Sequence, residues 1–435
     1  MRVAIALPNM PPGAAHGVAL RSVVEALVAI GLDIEVFSER HRLGESTPGL
    51  ACFHYLRLPE RHRCCPFDAA IYPLGRDCFP FEAAFWLMKR FPGVAWILDP
   101  VPHHLLLGGV ALRGHWHGYG KALEESYPGL GPAIAHTVAT GWGTASLYRR
   151  YDLAAAVAGD QVAALAAWPA LAAQMRAQLG RCEVLPLPLV QGAVVGADPG
   201  SPQSDKQIAF LSVNPAWPGS AAAAATEVLH RHPEARITIC SSAPTHHLAL
   251  TGPIGKWWSG ERVEWVVDPD WDRLAAVAQE AGTLVWLRED LLAGERVLLT
   301  QALAAGKLVM VPRSSLYDDL PEGVTVKVDP GRALPLQLAE AIDQLLSDKD
   351  LRDGVQQAAR SWARGAPSSR QVAGVMKRIL EAEMSAATPQ LRPISEPTWR
   401  AVSEEFLAAA LPPGAGASVR RRIMEAAQAL DLTGG

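Results

Sequence analysis

Short apolar runs recur along this chain, each closed by glycine, proline or polar residues and followed by a longer stretch with apolar positions three and four apart. Runs that short read as buried strands and the periodic stretches as helices, and strict alternation of the two predicts parallel sheets in an α/β architecture. In the first half the pattern predicts a strand over 2–7, a Pro/Gly-rich loop to Gly17, a helix over 18–30 ending at Gly31, and a strand over 33–37. Strands at 67–75 and 94–98 flank a helix at 80–91. Residues 99–105 read as a loop, and 108–150, rich in His, Gly, Trp and Tyr, resist assignment. Residues 153–179 are helical by their Ala/Leu content, with 154–158 open to a short strand closed by Gly159-Asp160. Residues 183–189 read as the last strand of this half.

A segment of Gly, Pro, Ser and Asp without periodicity, 191–206, reads as a linker, and the alternation then restarts. Strands are expected at 207–213, 235–240 and 262–266, with helices at 220–230 and 271–279. A strand at 284–287, a loop holding Glu289, Asp290, Gly294 and Glu295, a helix over 295–305 ended by Gly306, and a strand at 308–311 form one βαβ unit. Such a loop sits at the carboxyl end of a parallel strand, where open α/β sheets bind ligands, and the first amides of the helix suit a phosphate. Helices are expected at 336–346, 351–363 and 371–386, then two short amphipathic ones at 399–410 and 417–430.

Composition narrows this little. The length suggests two to three domains. A net charge of −4 gives no nucleic-acid footprint, and the Arg420-Arg421-Arg422 cluster reads as a solvated helix face or partner contact. Six cysteines without metal or dense disulfide spacing read as reduced thiols, and no signal peptide or apolar run of spanning length is found, so a cytoplasmic protein is expected. His115 and His117 lack a nearby acid or cysteine pattern and read as solvated. The first Pro/Gly loop is not G-x-G-x-x-G, so the dinucleotide fingerprint is missing.

The 283–311 unit, whose helix ends Ala302-Leu303-Ala304-Ala305-Gly306-Lys307, resembles the donor-site segment of retaining glycosyltransferases of family 4, which have the GT-B fold. In that register the paired glutamates of the family, eight positions apart, fall on Ala293 and Gln301. Leu287-Arg288 and Gly294-Glu295 match the L-R…G-E of a related subgroup. Strand 94–98 with Asp99, His103 and His104 resembles P-G-V-V-V-L-H-D-x-x-L-H-H, with Leu98 where relatives carry histidine, and 318–324 resembles D-x-L-P-x-G-V. The resemblance covers about residues 1–385 in segment order.

It implies two Rossmann-like domains facing each other across a cleft: 1–190 on the acceptor side, a linker at 191–206, 207–365 for the donor, a helix at 366–387 returning toward the first domain, and a helical extension at 388–435. Gly13, His16 and Gly17 would line the cleft. Asn214, Arg288, Gly294, Glu295 and Gln301 would contact the donor, and His103 and His104 would lie on the acceptor side. His16, Asp99, His103 and Glu295 would be the catalytic set. No metal and no resident cofactor are implied, since helix amides and basic side chains would take that role and the nucleotide sugar is a co-substrate. The loop at 214–220 carries no cation, so Arg288 or the amides opening the 295–305 helix are expected to offset the leaving diphosphate. Three functions are compatible: transfer of a sugar from a nucleotide-sugar donor to a glycan, lipid-linked or protein hydroxyl; a catalytically degenerate GT-B protein that binds a nucleotide sugar, a glycan or a partner glycosyltransferase; or a GT-B enzyme of another kind such as a sugar-nucleotide epimerase, for which no acid pair at a suitable spacing is found. Peripheral membrane contact is compatible with each.

Overall fold

The structure, a computed structural model, describes residues 1–8, 14–38, 50–76, 78–99, 101–159, 161–190, 206–213, 218–241, 262–288 and 292–386. Gly13, Asn214, the acids at 289 and 290, nearly all of the expected linker and the 388–435 extension lie outside them.

The chain runs β1 (Arg2–Ala6), α1 (Ala15–Ala29), β2 (Asp33–Ser38), β3 (Ala51–His54), α2 (Leu58–Cys64), β4 (Ala69–Leu74), α3 (Cys78–Arg90) and β5 (Val94–Ile97). A helical stretch follows: α4 (His103–Gly109), α5 (Trp116–Ser126), α6 (Gly131–Ala139), α7 (Ala145–Arg150) and α8 (Ala154–Ala158). Then come β6 (Ala163–Ala166), α9 (Pro169–Leu179) and β7 (Glu183–Val184). The second series is β8 (Gln207–Val213), α10 (Pro218–Arg231), β9 (Arg236–Ser241), β10 (Val263–Val267), α11 (Trp271–Glu280), β11 (Thr283–Trp286), α12 (Ala293–Ala304), β12 (Leu308–Pro312) and β13 (Val326–Val328). Three helices close it: α13 (Leu334–Ser347), α14 (Lys349–Arg364) and α15 (Ser369–Ala386).

Two parallel sheets result, ordered β3-β2-β1-β4-β5-β6-β7 and β10-β9-β8-β11-β12-β13. Both carry the doubly wound order, reversing between β1 and β4 in the first and between β8 and β11 in the second. The central strands are buried on both faces, which is why they read as continuous apolar runs rather than alternating ones. In the second sheet Phe210, Ile237, Ile239, Val285 and Met310 pack with Val228 of α10 and Leu338 and Ile342 of α13. Each such burial contributes about 1.5–3 kcal/mol.

The chain divides into two compact units. The first holds residues 1–8, 24–185 and 373–386, and the second holds 14–23 and 186–372; the division passes through α1 and α15. Among the described residues no helix is long and apolar enough to cross a membrane.

Several expectations are corrected. Residues 154–158 are helix, one of the two readings left open, but the helical reading of 153–179 is interrupted by a strand at Ala163–Ala166, paired with β5 and β7. Alanine alone does not choose between the two; the sheet neighbours do. The strand expected at 183–189 is only two residues long, because the prolines at 186 and 188 cannot donate to a ladder. The unassigned 108–150 stretch is mostly helical. The ending of α12 matches expectation: Gly306 has φ +74, its amide bonds the Leu303 carbonyl and that of Lys307 the Ala302 carbonyl, both at 2.9 Å. That Schellman ending needs a left-handed residue, hence the glycine.

Candidate functional site

The second unit positions its site at the start of α12, just beyond the carboxyl end of β11 and beside the point where strand order reverses. Leu292 is extended and serves as N-cap, but its side chain cannot accept a hydrogen bond. Glu295, the third helical residue, supplies the missing acceptor: Oε2 takes the Leu292 amide at 2.9 Å. Its other oxygen takes Arg288 Nη1 at 3.0 Å, and Glu295 is 3% exposed. The Arg288 carbonyl in turn accepts from the Tyr317 hydroxyl at 2.8 Å. The acid therefore caps the helix and holds the arginine together. This corrects the expectation that Gly294 and Glu295 belong to a loop; they lie in the first turn.

His16 and Gly17, also expected in a loop, lie in the first turn of α1. Ala15 and Ala19 on the same helix pack against Val297 of α12, with Leu187 and Val190 alongside. This brings His16 onto Gly294. A Cβ at position 294 would come closer than 3.0 Å to both His16 Nδ1 and the Trp271 ring. The His16 and Trp271 rings meet edge to face at 5.5 Å. Burial pushes the His16 imidazole down to about 4, so it is neutral at pH 7, and its Nδ1 has no hydrogen-bond partner. Gln301, two turns further, donates to the Val190 carbonyl at a long 3.4 Å while its Oε1 has no partner. Buried polar atoms left unpaired are uncommon enough to require a reason.

The candidates of the first unit separate from one another. Asp99, after β5, is buried, and its Oδ2 accepts the Arg76 amide at 2.6 Å, tying the turn after β4 to that after β5. His103 and His104 open α4 rather than lying in extended chain, which corrects the loop reading. His103 has no accessible surface, and its ring nitrogens bond the Tyr151 carbonyl and the Tyr119 hydroxyl. Burial holds it at about 4 despite the carbonyl. Both nitrogens are thus occupied inside the protein, the arrangement of a structural histidine rather than one facing an acceptor. His104 is half-buried against the Tyr148 ring, centroids 4.5 Å apart.

Sequence reasoning missed Trp271, read only as a helix start, and Tyr317, and it missed Asp152 in the first unit. Asp152 is fully buried; Oδ1 accepts from the Ala154 amide at 3.0 Å and from the Tyr127 hydroxyl at 3.4 Å, while Oδ2 has no partner. Burial raises its carboxyl to about 6, against the pull of the Ala154 amide and the Tyr127 and Gln178 side chains. An acid whose folded value lies above its unfolded one keeps its proton longer in the native state, so native stability falls as pH rises from about 4 to about 6 and is flat above. Asp152→Asn is expected to remove that loss. In urea titrations the gain over wild type should grow across that window to about 1–3 kcal/mol at pH 7; equal stabilities at pH 7 would contradict it.

Among the described residues no three His, Cys, Asp or Glu side chains converge to hold a metal ion.

No family profile and no curated protein matches the chain. Solved structures do. Sucrose-phosphate synthase from Thermosynechococcus elongatus superposes with TM-score 0.55 at 13% identity, covering 89% of this chain and all of that one. WaaG, a glycosyltransferase involved in lipopolysaccharide biosynthesis, gives 0.53 at 13%, covering 87% and 99%. A Listeria monocytogenes protein assigned as a UDP-N-acetylglucosamine 2-epimerase gives 0.53 at 11%, covering 89% and 98%. With its two doubly wound parallel sheets of seven and six strands and its superposition on these structures over nearly their whole length, the chain has the GT-B fold.

Proposed function

We propose that this chain binds a nucleotide sugar at the start of α12 and transfers the sugar, with retention and without a metal, to a hydroxyl of a glycan, lipid-linked or protein acceptor. The observation that carries this is a pair of unpartnered buried atoms, Gln301 Oε1 on α12, which starts at its sheet's switch point, and His16 Nδ1 on α1, set against Gly294 at the start of α12. A ligand would satisfy such atoms, and the likeness in fold to a glycosyltransferase supports a nucleotide sugar as that ligand.

The residues divide the work by their chemistry. The diphosphate lies against the first turn of α12, where the helix dipole favours negative charge. Arg288 turns from Glu295 toward the phosphates as charge builds on the leaving group. Neutral His16 offers a hydrogen bond rather than a charge, and Gln301 takes a ribose hydroxyl. The bond from anomeric carbon to phosphate oxygen breaks, the acceptor oxygen bonds to the same face, and its proton passes to the departing phosphate.

A second reading, binding without transfer, has its own support. Both Glu295 oxygens are committed, and Leu98, where relatives carry histidine, is wholly buried. One experiment separates the two: a thermal-shift and calorimetric screen against UDP-, GDP-, ADP- and dTDP-sugars, with donor hydrolysis followed in the same samples. At a hundredfold excess over the dissociation constant a ligand stabilises by about 2.7 kcal/mol. Binding with slow hydrolysis is the expected result. Binding without turnover, in the presence of acceptors of each class, supports the second reading; no binding of any nucleotide overturns the transferase and turns the search toward a glycan or protein partner.

A further inference from the structure

The turn that closes the helical stretch of the first unit, Tyr151-Asp152-Leu153, ties three elements to one point. The Tyr151 carbonyl bonds His103 of α4, whose other ring nitrogen bonds the Tyr119 hydroxyl of α5. Asp152 Oδ1 accepts the Ala154 amide that opens α8, and it accepts the Tyr127 hydroxyl from the chain just beyond α5. The Tyr127 oxygen also bonds the Leu153 backbone. The Leu153 carbonyl in turn accepts the Val157 amide of α8 at 3.0 Å.

This turn is held in two unfavourable arrangements at once. Leu153 sits at φ +60 with its side chain wholly buried. A bulky residue resists that left-handed conformation, which persists only where the surroundings impose it. Directly before it, Asp152 is fully buried and its Oδ2 has no partner. Such a carboxyl is tolerated with its proton and disfavoured without it, because neither water nor a cation takes up the charge.

The neighbouring groups leave that balance in place. Facing Asp152 are Tyr127, the Gln178 side chain of α9 and the Ala154 amide of α8. Burial pushes Tyr127 up to about 12, so it keeps its proton. The Tyr151 ring meets Tyr127 edge to face at 5.0 Å and has the Arg150 guanidinium over it at 5.7 Å. Lys89 of α3 is held on the Ala156 carbonyl at 2.8 Å. On the α4 side His103, kept down at about 4 by burial, packs against Tyr148 and His104. Among the described residues no cation pairs with Asp152. Between pH 5 and 7 Asp152, at about 6, therefore changes charge while His103 and Tyr127 do not.

We propose that Tyr151–Leu153 is an acid-closed latch: the protonated Asp152 carboxyl keeps Leu153 left-handed and α4, α5 and α8 tied together, and loss of the proton releases the turn. Release lets the carboxylate reach water and Leu153 relax in the same movement, so one local opening relieves both arrangements. The helices around the turn then loosen ahead of the first sheet. The response is confined to one segment, unlike a general loss of stability, and does not involve the donor site.

Hydrogen exchange of the full chain, read by mass spectrometry at about pH 5 and about pH 7.5 and corrected for intrinsic amide rates, tests this. An acid near 4 when solvated and near 6 in the closed turn makes opening about tenfold more frequent at the higher pH. In wild type the α5, α7 and α8 amides are expected to exchange ahead of β1, β4 and β5, with little response to low urea, and to gain that factor. Asp152→Asn, which keeps the cap on the Ala154 amide and removes the charge, should abolish the gain. Tyr127→Phe, which removes a bond that favours the ionised acid, should move the gain to higher pH. Helices that exchange only together with the strands would mean global unfolding and would overturn the latch. So would a gain that survives Asp152→Asn, or a wild type without one.

Discussion

Arg288→Ala is expected to lower stability by about 3 kcal/mol and to weaken nucleotide-sugar binding at least about tenfold. The stability loss comes from Glu295, which stays in place because its Oε2 caps α12 through the Leu292 amide, yet loses the cation facing Oε1. A carboxylate 3% exposed cannot call on water in its stead. Breaking such a buried pair typically costs about 3–5 kcal/mol. The lower end applies here, because the start of a helix offsets part of the charge by about 0.3–1 kcal/mol and Arg288 itself retains some exposure.

The same variant separates structure from function when combined with Glu295→Gln. Glutamine still accepts the Leu292 amide but leaves no buried charge, so the double variant should recover to within about 1 kcal/mol of Glu295→Gln alone. Donor affinity should not recover, since the cation assigned to the diphosphate is gone. Urea unfolding and calorimetry with the best donor from the screen give the two readouts. A loss below about 0.5 kcal/mol in the single variant would show that the pair is not buried in solution. Recovered affinity in the double variant would remove Arg288 from the donor site.

How much of this was legible in the chain differs by element. Most buried strands were plain, because parallel strands covered on both faces leave continuous apolar runs such as Arg2–Ala6 and Leu308–Pro312; β6, Ala163–Ala166, was not, because its alanines read equally as helix. The Gly306 ending of α12 was legible from one residue's conformational freedom. The beginning of α12 was not: it starts two residues early because the Glu295 side chain folds back to the Leu292 amide, and that bond depends on where Arg288 holds the acid. His103 and His104 misled because a doublet after a proline-rich turn reads as loop, whereas the turn ends at Pro102 and a helix starts at once. His103's partners, Tyr119 and the Tyr151 carbonyl, sit in a stretch whose helices the residue pattern did not reveal. The contact of His16 with Trp271 and Gly294 joins chain segments far apart in sequence, and no local pattern encodes it.

That last contact carries the second large expectation. Gly294→Ala adds one methyl group at the crowded start of α12, where it overlaps the His16 ring on one side and the Trp271 ring on the other. Alanine should favour a helical position by up to about 1 kcal/mol, while overpacking costs about 1–3 kcal/mol. A net loss of about 1–2 kcal/mol is therefore expected, opposite in sign to the same exchange on an exposed helix. If the clash is with His16, the substitution should cost about 1 kcal/mol less in a His16→Ala background. Additive effects would mean that Trp271 alone bears the strain, and a stabilising Gly294→Ala would mean that α1 does not pack on α12 in solution. Donor affinity should fall with the single variant as well, because pushing His16 aside moves an unpartnered nitrogen that lies against the start of the helix. The glycine is thus required by the side chains above it, not by its own backbone angles.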